Sequence, residues 1–189
     1  MTQVSQLDKR IQKTLTSLRE AFFELVLTYS YDEIKVADII AKANVGRSTF
    51  YQHYKSKDEM LAASMDYPLS VMAESVSDKQ SFETLYSLME HFWQNRKFAP
   101  RIFAGTSRRI IIATLAEKLV QQLKILKSGS QQNTAIPLTM AAHQLAEAQM
   151  TLTIDWLIGK EKCTTKAISL HLKDSSVMLA KLSLRESKL

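Results

Sequence analysis

The chain has 189 residues, enough for one small and one larger domain, and 46% of them are hydrophobic, which supplies a core and argues against disorder. With 4 Gly and 3 Pro it lacks the turn-formers of a loop-rich or β-rich fold, and no stretch alternates as a strand would. The formal net charge of +6 suits a polyanionic partner without demanding one.

The first predicted element is a long amphipathic helix over Leu7–Tyr29. Leu7, Ile11, Leu15, Leu18, Phe22, Leu25 and Val26 recur at three- and four-residue steps, with Lys9, Arg10, Lys13, Arg19 and Glu24 opposite. It is expected to end around Tyr29-Ser30-Tyr31-Asp32. Val36, Ile39, Ile40 and Ala43 then mark a helix of about two turns, with Asp38 in its first turn, where the helix dipole favours an acid. So short a helix must rest on the first one.

Asn44 follows, a residue type that accepts the left-handed backbone of a helix exit. Val45 can plug the core under the turn, and Gly46 or Ser48 can cap a third helix over Arg47–Tyr54. In that helix Phe50 and Tyr54 face inward. Arg47, Ser48, Thr49, Tyr51, Gln52 and His53 point outward, with hydroxyls and a guanidinium suited to phosphates and base edges. From Lys35 to Lys57 there are five Lys or Arg residues against one acid, Asp38. Such an excess supplies salt-dependent DNA affinity. By themselves these residues leave two readings: a helix-turn-helix that enters a major groove, or a solvated basic face on an ordinary helical protein.

The segment Val36–Leu61 resembles the DNA-binding domain of the TetR family of bacterial transcription regulators. The resemblance rests on Val36-Ala37-Asp38-Ile39, on Ala43-Asn44-Val45 at the turn, on Ser48-Thr49-Phe50-Tyr51-Gln52-His53-Tyr54, and on Lys55-Ser56-Lys57-Asp58-Glu59-Met60-Leu61. Three residues depart from the pattern: Asn44 stands where Gly is usual, Ile40 where a small Ala is usual, and Gly46 where a Ser or Thr cap is commoner. The resemblance implies an all-α protein with a three-helix helix-turn-helix domain over residues 1–56 and a larger helical ligand-binding and dimerisation domain over 57–189. It implies that Tyr51, His53 and Lys57 contact phosphates, as would Lys35 at the start of the first motif helix. Arg47, Ser48, Thr49 and Gln52 would lie closest to base edges. For Tyr51 a packing role, and for His53 a solvent-exposed one, are the competing readings.

Beyond the motif, one helix is expected from Lys57 to about Asp66, kinked or ended by Tyr67-Pro68. Ser75–Gln80 reads as a connector. Helices follow over Ser81–Lys97 and Arg108–Lys127, with a short segment from Pro100 that carries Ile102 and Phe103. Ser128–Asn133 reads as a surface loop. Pro137–Ile158 is long and largely uncharged, with alanines at 141, 142, 146 and 148, and must be covered on more than one side. Gly159-Lys160-Glu161-Lys162 ends it, and Thr164–Leu184 forms the last helix. In the TetR family the last two helices pair with their symmetry mates, so a homodimer on a palindromic operator in double-stranded DNA is implied.

The resemblance also implies an unidentified small-molecule effector inside the larger domain. Met65, Met72, Met89, Trp93, Phe103 and His143 are the candidate lining, although Met and aromatic stripes at helical spacing equally read as core. Arg108 and Arg109 suit either an acidic ligand or solvent. Histidines 53, 91, 143 and 171 show no metal-ligand spacing, and Cys163 has no companion thiol, so no metal, cofactor or disulfide is expected. There is no phosphate loop, nucleophile elbow or paired carboxylate in an apolar setting, which argues against an enzyme. No signal peptide or membrane-length apolar run is seen, so a cytoplasmic protein without a membrane partner is expected. The reading is thus a repressor released by an effector. Its alternative is a TetR-like regulator without small-molecule sensing, constitutive or under the control of a protein partner.

Overall fold

The computed structural model describes residues 2–128, 134–159 and 162–185, and its regular elements there are all helices. They are α1 (Thr2–Val26), α2 (Val36–Ala43), α3 (Arg47–His53), α4 (Lys57–Ser64), α5 (Asp66–Glu74), α6 (Phe82–Gln94), α7 (Ala99–Ile102), α8 (Gly105–Lys127), α9 (Leu138–Leu157) and α10 (Thr165–Ser183), with one 3-10 turn at Arg96–Phe98.

Leu18, Phe22 and Val26 are buried on α1, and α2 lies across this stripe with Ile39 buried. The side chain of Leu7 lies outside the described residues. α1 stops at Val26, short of the expected Tyr29. Tyr31, expected to break the helix, is instead a core residue, 2% exposed and edge-on to Phe22. At the α2–α3 turn Asn44 has φ 52 and ψ 47, the left-handed geometry its side chain tolerates. Val45 N donates to Ile40 O at 3.2 Å, which satisfies a carbonyl left over at the helix end. Gly46 is extended at the start of α3 and gives no side-chain cap.

The expected helix from Lys57 to Asp66 divides at Met65, ahead of Tyr67-Pro68. Pro68 has no N–H to offer the carbonyl of Ser64, so the break falls one turn before it, and the proline sits in the first turn of α5, where a missing donor costs little. In the body α8 packs along both α5 and α9, α10 packs on α9 and α6, and α6 returns to α5, a closed circuit of helices around one core. Gln149 of α9 is 2% exposed and ties this circuit together, its Nε2 donating to Met72 O and Ser75 Oγ of the α5 end and to Ser176 Oγ of α10. Ala141, Ala142 and Ala146 let α9 sit close to its neighbours, while Ala148 is exposed. The loop expected at Ser128–Asn133 lies, from 129 on, outside the described residues, as do Lys160 and Glu161 after α9.

Candidate functional site: a recognition helix and a neighbouring cavity

α3 is fixed from below and open above. Phe50 is fully buried, Tyr54 is half-buried behind it, and the ring centroids are 5.8 Å apart. Burial raises the Tyr54 phenol above its ordinary range. Arg47, Ser48, Tyr51 and Gln52 are exposed on the outer side, and Thr49 and His53 are half-buried at its margins. Tyr51 carries both of its proposed features at once: its ring is edge-on to Phe50 at 5.3 Å, yet 46% of the residue remains exposed. Arg47 Cζ stands 5.6 Å from the centre of the Tyr51 ring. A groove of about 380 Å³ separates α2 from α3, bounded by Val36, Ile40, Arg47 and Tyr51 among others. Lys35 is exposed just ahead of α2, its backbone N–H donating to Asp38 Oδ2 at 2.8 Å.

Lys57 departs from the expectation of a phosphate contact. Its Nζ donates to Tyr31 O at 2.6 Å and Ile34 O at 2.8 Å, and lies 4.3 Å from the centre of the Tyr31 ring. The ammonium is spent on the carbonyls that end the α1–α2 connection, so it faces the protein. Beside it the Tyr31 hydroxyl donates to Asp58 Oδ1. Burial and that carboxylate hold the Tyr31 phenol far above its ordinary range.

A cavity of about 700 Å³ opens where α1 meets the body. α1 contributes Arg19, Glu20 and Phe23, and the α4–α5 break contributes Ser64, Met65 and Tyr67. The far wall comes from α6 and the segment that follows it, including Phe92, Phe98 and Phe103. Of the expected lining, Met65 and Phe103 are present. Met72 and Met89 are fully buried in the core, where α5 packs on α6 and α8 and α6 packs on α5 and α10. Trp93 instead stacks on Trp156 at 5.0 Å, and His143 is exposed on the outer side of α9. Arg108 forms an ion pair with Glu147 at 2.6 Å, and Arg109 Nη2 donates to Thr106 Oγ1, so neither is placed at the cavity.

Residues 18–64 match the model of the N-terminal domain described as bacterial regulatory proteins, tetR family. This segment is that of a TetR-family N-terminal domain. Over 57 residues, 30% of this chain, it is 39% identical to the uncharacterised helix-turn-helix transcriptional regulator YxbF of Bacillus subtilis strain 168. Over 87 residues, 46% of this chain, it is 26% identical to DhaS, the dhaKLM operon transcriptional activator of Lactococcus lactis strain IL1403. These matches cover 15% and 46% of the relatives' own length. A TetR regulator from Streptococcus agalactiae 2603V shares the fold with a TM-score of 0.57 at 24% identity, over 92% of this chain and 98% of that one.

Among the cavity residues that sequence reasoning missed, which include His91, Asn95, Arg96 and Phe98, three stand apart: Arg19, Glu20 and Phe23. They sit on a helix assigned wholly to the DNA-binding head. Phe23, a large apolar residue just off the α1 stripe, was the one available sign that α1 has a second buried flank, and it meets Phe98 edge-on at 5.6 Å.

Proposed function

We propose that this chain is a sequence-specific transcriptional regulator that binds palindromic DNA as a homodimer and represses until a small molecule entering the cavity releases it. The observation that carries the DNA part is the outer face of α3, where Arg47, Ser48, Tyr51 and Gln52 are exposed while Phe50 anchors the opposite side. Arg47, Ser48, Thr49 and Gln52 serve as the base-reading set, and Lys35, Tyr51 and His53 as phosphate contacts. Lys57 moves in this reading from a phosphate contact to a residue that positions the head.

Residues 1–56 form the DNA-binding unit and 57–189 the regulatory one. The cavity supports sensing over the alternative of a constitutive or partner-controlled regulator, because a closed core would have left no room for an effector. Its α1 wall gives the effector direct purchase on the helix that supports α2 and α3. DhaS is named as an activator, and the sense of regulation depends on where the operator lies relative to the promoter. Exposed Met140 and Ile158 on and after α9, with Leu170, Met178 and Leu182 on α10, support the homodimer. Among the described residues no helix is long and apolar enough to cross a membrane, in keeping with action on cytoplasmic DNA.

The test is selection of bound sequences from random double-stranded DNA, followed by titration of the winning site. A palindrome should emerge, and Tyr51→Ala should weaken its binding about tenfold, the worth of one charge-assisted contact. Stability should fall by only about 1 kcal/mol, since the ring loses little beyond its edge contact with Phe50. Unchanged affinity at moderate salt, or selection that returns no preferred sequence, would refute the assignment.

A further inference from the structure

The rim of the cavity carries more donors than acceptors. Arg19, Arg96, His91 and Asn95 stand on it with a single carboxylate, Glu20. Arg96 is held by two neighbouring contacts: Nη1 donates to Trp93 O at 2.9 Å, and Cζ lies 4.3 Å from the centre of the Trp93 ring. Trp93 is stacked in turn on Trp156, with 23° between the planes. A guanidinium fixed in this way has less side-chain freedom to lose when it takes up an acceptor. Asn95 Nδ2 donates to His91 O at 2.9 Å and lies 3.4 Å from His91 Nδ1. Below the rim the wall turns apolar, with Phe23 edge-on to Phe98 and Phe92 edge-on to Phe103.

We propose that the cavity takes an amphipathic monocarboxylate, with its head at the rim against Arg96 and Arg19 and its apolar body among the four phenylalanines. Two guanidiniums against one carboxylate leave the rim cationic, and their donor-only forks match an acceptor-only head group. A cationic amphipath would have Glu20 alone as counter-charge and would meet both arginines. This inference rests on the reading of the cavity as an effector site, and names the effector's chemical class.

Three probes with the same ten-carbon tail separate the possibilities: decanoate, decanol and decyltrimethylammonium, each titrated into the full chain by calorimetry below its micelle concentration. Decanoate should bind about tenfold or more tightly than either of the others. Arg96→Gln should bring decanoate down to the affinity of decanol and leave decanol unchanged, while Arg96→Lys should retain most of the preference. Arg19→Gln, on a different helix and clear of the tryptophan stack, should erode the same preference. Ser87→Trp, at an exposed position on the cavity wall, should weaken decanoate and decanol together. Decanol or the ammonium binding as well as decanoate would overturn the head-group inference and leave the sensor reading standing. Binding that ignores Ser87→Trp would place the ligand elsewhere and overturn the site. Failure of all three probes to bind would remove both the inference and the sensor reading.

Discussion

A lysine at the start of a helix is badly placed electrostatically, because the positive end of the dipole is there. Lys57 is the first residue of α4 and nevertheless reaches back to Tyr31 O and Ile34 O, with the Tyr31 ring under its ammonium. The two carbonyls belong to the segment between α1 and α2, whose own N–H groups leave them unmatched, so a charged donor from α4 satisfies them. The contact thereby fastens the head to the first helix of the body. Lys57→Met should therefore cost about 2–3 kcal/mol of stability, since hydrogen bonds to charged donors and a partly buried cation–π contact are lost together. The slope of DNA affinity against salt should stay unchanged. A lost phosphate contact would instead lower that slope by about one unit and spare the melting temperature, so chemical denaturation and a salt titration together decide between the two roles.

At the scale of elements, what could be read in advance was local. The α2–α3 turn needs only a residue tolerant of positive φ, and Asn44 announces it. The α1 stripe needs only its own periodicity, and Leu18, Phe22 and Val26 are buried as that stripe requires. The cavity could not be read this way. Its walls come from α1, the α4–α5 break and the segment after α6, and which flank of α1 faces that segment is set by tertiary packing. Arg19 therefore looked like a solvated residue on the polar side, and Met72 and Met89 looked like plausible lining when they fill the core instead. The break at Met65 was displaced for a related reason: Pro68 acts on the carbonyl four residues before it. The same locality yields a prediction at the start of α3, where Gly46 has φ −72, so no special backbone requires glycine there. A Cβ built on Gly46 meets Thr49 Oγ1 at 3.4 Å, an ordinary contact. Gly46→Ser should place a hydroxyl in reach of the free N–H groups of the first turn and stabilise the chain by a few tenths of a kcal/mol. Any loss of stability measured by urea unfolding would show that the turn has no space for the side chain.

At the scale of the whole molecule the outer surface of α9 and α10 carries apolar side chains that the described residues do not cover. Met178 is 70% exposed and Leu182 54%, one turn apart on α10, and Leu170 lies two turns before Met178 on the same side at 43%. On α9, Met140 is 60% exposed, and Ile158 just past its end is 41% exposed. Apolar side chains repeated along one face of two adjacent helices are what a partner helix pair covers. In a two-fold dimer that partner presents the same residues. A two-fold assembly also gives two recognition helices the fixed separation that a palindrome requires. Met178→Glu exploits the symmetry, because a charge near the axis would lie close to its own copy and would lose water on association. The residue is already exposed in the single chain, so the helical content and melting behaviour of the monomer should be preserved. Sedimentation at micromolar concentration should show a dimer for the parent chain and a monomer for the variant. Operator affinity should fall steeply because each half-site then binds alone. A parent chain that sediments as a monomer would remove the dimer from the mechanism, and a variant that stays dimeric would move the interface to another face.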